Sequence, residues 1–115
     1  MTDIWRSFVA QRLAWANGWG VLFHEATVSQ DRNVHDLTRD FRDEVPGYLE
    51  NRAICDALAT LQLPAGVEHL ADNMRRAYEL LVARGWLDER ELELLDAWLN
   101  DLRALAPGVV RGRAA

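Results

Sequence analysis

One segment of this chain, residues 20–28 (GVLFHEATV), is the only part whose composition is typical of a β-strand. Val21, Leu22 and Phe23 form an apolar run, and Thr27 and Val28 continue the β-favourable composition. Because one strand cannot form a sheet alone, it must pair with a weak strand elsewhere in the chain or with a strand outside it. The sequence therefore predicts a mainly α fold of about five helices with one short β-strand.

Apolar residues recur at spacings of three and four through most of the remaining sequence, which predicts helices. The first helix is capped by Thr2 or Asp3, and a second begins at Asn33. Pro46-Gly47 is expected to stop this second helix. The five predicted helices cover residues 4–16, 33–45, 51–62 and the two arms of a hairpin over 67–106, which packs on the first helix.

The chain has 115 residues and a formal net charge of −5 at pH 7. This length predicts one domain over 1–106, with a motif-bearing part at 1–50, a helical part at 51–106 and a flexible tail at 107–115. It is too short for a complete nucleotide-sugar transferase. The acidic balance argues against nucleic-acid binding. No membrane span or secretory signal is visible, so we expect a cytoplasmic protein.

The single cysteine and the tryptophans have predicted structural roles. Cys55 excludes an internal disulfide framework, and apolar helical neighbours favour a buried thiol over a reactive one. Trp15 and Trp98 fall on apolar helical faces and are expected in the core. For Trp5 and Trp19, which lie near the ends of elements, a core role and stacking on a sugar ring remain open.

A polar cluster at residues 30–36 follows the predicted strand and opens a helix, where unpaired N–H groups and the helix dipole favour anions. Arg32 could make a bidentate phosphate contact. His35 could bind a metal or a phosphate oxygen, or act as an acid or base. The alternative is a solvated loop in which Asn33 is a helix cap. The cluster comprises Gln30, Asp31, Arg32, Asn33, His35 and Asp36.

Two sequence blocks carry a resemblance to a known family. The first is T-D-I-W-R-S-F-V-A-Q-R, and the second runs F-H-E-A-T-V-S-Q-D-R-N-V-H-D-L-x-x-D-F-x-D-E-V-P-G-Y-L-E-N. Together they resemble the C-terminal part of the STELLO-like glycosyltransferase family over roughly residues 2–63. The hairpin fits through N-x-x-x-A-Y-E-L-L and L-L-x-A-W-L. A more distant similarity is to the reversibly glycosylated polypeptides, or UDP-arabinopyranose mutases.

The resemblance implies a GT-A-type fold whose upstream half binds the nucleotide sugar and holds a divalent metal on a D-x-D motif. No D-x-D occurs in this chain. By the resemblance, Asp3 is the catalytic base facing the acceptor hydroxyl, although it has an equally good explanation as a helix cap. Trp5 and Arg6 line the same pocket. The segment closing over the diphosphate and metal contains Gln30, Arg32, Asn33 and His35, with His35 as a possible metal ligand.

The sequence thus predicts a glycosyltransferase-related protein, the C-terminal module of a nucleotide-sugar-dependent transferase that lacks its nucleotide-binding half. The isolated chain is expected to be inactive, and a divalent metal is expected only with the missing half. Expected ligands are a nucleotide sugar and a glycan acceptor. The alternative is a non-catalytic, small helical interaction module that binds a protein partner or a second copy of itself through a strand edge and helix grooves.

Overall fold

The computed structural model describes residues 2–31 and 34–105, which form a mainly helical fold as predicted. The described residues contain four α-helices and no β-strand, so nothing of a GT-A sheet is present among them. None of the described helices combines the length and apolar character needed to cross a bilayer. The elements are α1 (Thr2–Ala16), α2 (Leu37–Ala59), a 3-10 turn (Val67–His69), α3 (Leu70–Ala83) and α4 (Arg90–Leu105).

The prediction of a β-strand at residues 20–28 is wrong. The segment connects α1 to the residues before α2, and its whole length is exposed without regular structure. Leu22, Phe23 and Val28 are 85%, 90% and 86% exposed. A strand needs a neighbouring strand to satisfy its N–H and C=O groups, and the described residues provide none. The β-favourable composition was therefore not sufficient to form the element.

The two helices predicted on either side of Pro46-Gly47 are one continuous helix, α2, which reduces the number of described α-helices from five to four. Proline fixes φ near the helical value, so a helix can continue through it at the cost of one hydrogen bond. The helix begins at Leu37 because the side chain of Asp36 accepts the N–H groups of Thr38 and Arg39. The predicted cap, Asn33, and the predicted tail at 107–115 lie outside the described residues.

The predicted hairpin is confirmed, and its first arm, α3, packs on α1. Helix α3 is central, since α1, α2 and α4 all pack against it. Between α3 and α4, Gly85 adopts a φ of 74°, and the N–H of Trp86 bonds to the Leu81 carbonyl. Asp88 then accepts the N–H of Arg90 with its side chain. The shared core comprises Trp5, Val9, Leu13, Ile54, Leu58, Ala71, Ala77, Tyr78, Leu81, Leu87, Leu95 and Leu99.

Three predicted core residues are exposed instead. Cys55 lies on the outer side of α2, because its neighbour Ile54 occupies the buried position. Trp15 is 62% exposed and Trp98 is 49% exposed. The buried residues of α1 follow a spacing of four that ends at Leu13, and a residue two positions further points to the opposite side of a helix. These exposed indoles are therefore available for contacts outside the core.

Candidate functional site

Asp3 and His35, two of the residues predicted for the site, line one cavity of about 470 Å³. It lies where the first turn of α1 meets the start of α2. Apolar side chains, acidic side chains and one histidine form its wall. The lining residues are Asp3, Ile4, His35, Leu37, Asp40, Phe41, Asp43 and Glu44. We call this space the acidic cavity.

The imidazole of His35 is held by a neighbouring carboxylate. Its Nδ1 lies 3.0 Å from Oδ2 of Asp40, and both side chains are about half exposed. A carboxylate on one ring nitrogen orients the ring and directs the other nitrogen, Nε2, toward a ligand or a proton transfer. The sequence analysis did not include Asp40 in the site. Its position in the first turn of the helix after His35 was the signal that could have indicated this contact.

Asp3 lies in the first turn of α1, where its Oδ1 accepts the N–H of Ile4 at 3.0 Å. The helix dipole favours a negative charge at this position. The Asp3 side chain also lines the acidic cavity. Because α1 begins at Thr2, Asp3 lies inside the first turn and not at the N-cap position that the sequence predicted.

The charge of the acidic cavity restricts what can enter it. Four carboxylates line it; Asp40 lies beside His35, and Asp43 lies 4.0 Å from Arg39. A diphosphate would be repelled by this excess of negative charge, whereas a hydroxyl group or a cation would not. The lining of this cavity therefore favours a neutral or cationic group over an anion.

A metal centre is not complete among the described residues. No group of three His, Cys, Asp or Glu side chains converges anywhere in residues 2–31 or 34–105. The contact between His35 and Asp40 supplies at most two ligands, whereas a zinc site uses three or four protein ligands. The described residues therefore do not fit a divalent metal by themselves.

Trp5 and Arg6 are directed away from the acidic cavity. The Trp5 indole is 6% exposed, and its Nε1 donates to Oδ1 of Asn51 at 2.9 Å. Arg6 donates from Nη2 to Oε2 of Glu91 on α4 at 2.6 Å, a hydrogen bond that raises the pKa of Arg6 further. The sequence did not predict this pairing between α1 and α4.

The remaining residues predicted for the site are Gln30, Arg32 and Asn33. Gln30 is exposed on the connecting segment, and it is absent from the cavity lining. Arg32 and Asn33 lie outside the described residues. Their proposed contacts with a diphosphate remain predictions.

Comparison with protein families settles what kind of protein has this site. A family model described as STELLO glycosyltransferases matches residues 1–109. The chain belongs to the STELLO glycosyltransferase family. This confirms the resemblance carried by the two sequence blocks and makes the STELLO chain a glycosyltransferase-related protein. Searches of curated proteins and of solved structures found no significant match.

Proposed function

We propose that these residues form the acceptor-side helical part of a STELLO glycosyltransferase, which acts with a nucleotide-sugar-binding domain outside the 115 residues. The observation that carries the proposal is the placement of Asp3 and His35 in one acidic cavity. Membership of the family supplies the reaction class. A donor-binding sheet is not found among the described residues, and we assign the nucleotide-binding part of the donor site to the second domain.

In the proposed reaction, the Asp3 carboxylate accepts the proton of an acceptor hydroxyl. The hydroxyl oxygen forms a bond to the anomeric carbon of the donor sugar. The bond from that carbon to the nucleoside diphosphate breaks, and the diphosphate leaves with the electron pair. The four carboxylates of the acidic cavity favour the neutral acceptor over the diphosphate at this place.

We assign the diphosphate side of the reaction to the segment before α2. Gln30, Arg32 and Asn33 are proposed to contact the diphosphate there, because planar guanidinium and amide donors bind phosphate oxygens well. His35 is proposed as one ligand of a divalent metal whose remaining ligands come from the nucleotide-sugar-binding domain. This assignment is consistent with the incomplete donor set among the described residues.

The connecting segment at residues 20–28 is proposed to dock on that domain. Its large apolar side chains, Leu22, Phe23 and Val28, are almost fully exposed. Its composition favours a strand, and an exposed extended segment can complete a neighbouring sheet by pairing with its edge. Docking would supply the partner strand that the described residues lack.

The experiment requires the second domain, which we would seek in the genomic sequence beside this coding region as an open frame with a D-x-D motif. The two parts are then produced together, and release of nucleoside diphosphate from UDP-sugars is measured with and without glycan acceptors. We expect turnover only when both parts are present. Absence of turnover from the purified complex with every donor would refute the proposal.

Asp3→Asn tests the role of the base in this complex, with Asp72→Asn as its matched control. Both residues are carboxylates in the first turn of a helix, so both substitutions remove a similar dipole interaction. Only Asp3 lines the acidic cavity. We expect transfer to fall by about a hundredfold or more for Asp3→Asn and to persist for Asp72→Asn. Equal losses would assign Asp3 to the helix alone.

A non-catalytic interaction module is the second candidate, and the exposed apolar segment favours it. In that case the chain binds a protein partner or a second copy of itself and performs no chemistry. Light scattering, combined with the transfer assay, distinguishes this interaction module from the proposed glycosyltransferase. Self-association that is lost in Leu22→Ser but unchanged in His35→Ala, with no transfer in any complex, would support the interaction module.

A further inference from the structure

A second cavity lies on the other side of α1, in the space between α1 and α4. Both helices pack on α3, but no Cα atom of α1 comes within 8 Å of one in α4. The cleft between them has a volume of about 350 Å³, which is in the range of small-ligand sites. Its lining residues are Arg6, Val9, Met74, Tyr78, Glu91, Leu94, Leu95 and Trp98.

The cleft combines an aromatic wall with a polar pair. Trp98 is half exposed although it lies beside two buried leucines of α4, so its indole contributes an accessible apolar surface. Arg6 and Glu91 bridge α1 and α4 at 2.6 Å. The guanidinium offers further N–H donors, and the carboxylate offers a second oxygen acceptor. The lining of this cleft therefore offers an indole, a hydrogen-bond donor and a hydrogen-bond acceptor to a ligand.

The charge balance of the cleft selects against anions. Arg6 is the one cation among the lining residues, and Glu91 already neutralises it. Burial raises the pKa of Tyr78, so this phenol stays neutral and can act as a hydrogen-bond donor. A diphosphate would find no unpaired positive charge here. An uncharged ligand with hydroxyl groups would find donors, acceptors and an apolar surface.

We propose that the cleft between α1 and α4 is a binding site for an uncharged pyranose, with one face of the sugar ring against Trp98 and hydroxyl groups on Arg6 and Glu91. A pyranose has C–H groups on its faces and hydroxyl groups around its edge, which matches an indole beside an ion pair. The cleft differs from the acidic cavity, with which it shares no lining residue.

In the transferase, the cleft would hold a more distant sugar unit of the glycan acceptor. This role of the cleft rests on the proposed function. Binding itself requires neither the donor nor the second domain. A failure of transfer with sugar binding intact would refute the proposed function and leave the cleft assignment standing. Transfer that proceeds without sugar binding in the cleft would refute the cleft assignment alone.

The test is a titration of the full chain with the methyl glycosides of glucose, galactose and mannose, followed through its indole N–H signals by NMR. Methyl glucuronide is the matched anionic probe, and cyclohexanol is the apolar one. We expect at least one neutral glycoside to shift the Trp98 signal saturably, with weaker binding of the glucuronide and of cyclohexanol. Individual tryptophan variants assign the signals.

The variants are Trp98→Ala and Glu91→Gln, with Trp15→Ala as the matched control. Trp15 is also an exposed helical indole, but it lies beside a different cavity, next to Phe8 and Cys55. We expect binding to weaken about tenfold in Trp98→Ala and about fivefold in Glu91→Gln. The Trp15 variant should stay within about twofold of the wild type.

Several results would overturn the assignment. They are the absence of a saturable shift with every neutral glycoside, an equal loss in the Trp15 variant, and tighter binding of the glucuronide. Binding of cyclohexanol as tightly as the glycosides would identify a general apolar cleft instead. Circular dichroism of each variant shows that it is folded, which is expected because Trp98 and Trp15 are exposed.

Discussion

The role of Trp5 can be decided by a stability measurement, because its predicted contact with substrate and its observed place in the core lead to different results. Its indole is 6% exposed and donates a 2.9 Å hydrogen bond to Asn51. Trp5→Phe removes this bond, which contributes about 1 kcal/mol. The smaller ring also leaves unfilled volume, at a cost of about 1 kcal/mol more.

The free energy of unfolding should therefore fall by about 2 kcal/mol in Trp5→Phe, with a melting temperature lower by about 8 °C for a chain of this size. Urea unfolding followed by far-ultraviolet circular dichroism measures the change without depending on tryptophan fluorescence. Trp15→Phe is the control, since an exposed indole in α1 should change the free energy by less than about 0.5 kcal/mol.

A double-mutant cycle with Asn51→Ala isolates the hydrogen bond. We expect a coupling energy of about 1 kcal/mol between Trp5 and Asn51. If the two substitutions are additive and Trp5→Phe is as stable as the wild type, the indole is not held in the core. Trp5 would then not stabilise the contact between α1 and α2.

Three further predictions concern packing, capping and ionisation. Ile54→Ala, at a fully buried position, should cost about 2–5 kcal/mol in urea unfolding, whereas Cys55→Ala on the exposed side of α2 should be neutral. Asp36→Ala removes the α2 cap and should cost about 1 kcal/mol; an unchanged urea midpoint would contradict it. Because burial raises the pKa of Tyr78 above its ordinary value of 10.0, the unfolded state ionises first, and stability should fall above about pH 10. Tyr78→Phe should show a smaller fall across that range, and an equal fall would contradict the assignment.

Local sequence signals correctly predicted the helix ends that depend only on neighbouring residues. The predicted end of the first helix at residue 16 and the hairpin over 67–106 were correct, because Gly18 and Gly85 accept the left-handed conformation at low cost. The Pro46-Gly47 signal was misleading because proline is compatible with helical φ. The strand at 20–28 failed for a different reason, since a strand depends on hydrogen bonds to another strand, which local composition cannot supply.

The candidate site was predicted only in part. The resemblance named both Asp3 and His35, and the structure places them in one cavity. It also grouped Trp5 and Arg6 with Asp3, but successive residues of a helix point in different directions, and these two side chains meet α2 and α4 instead. No sequence signal could show that Arg6 would meet Glu91, because that pairing depends on how α1 and α4 flank α3.

The sequence by itself determined the helical class, the hairpin and membership of the STELLO family, because periodicity, glycine positions and the two motif blocks are local properties. Only the tertiary structure decided which face of each helix is buried, that Trp98 is accessible while Trp5 is not, and that a cleft separates α1 from α4. Burial depends on which helices pack together, and packing depends on all of the apolar surfaces at once.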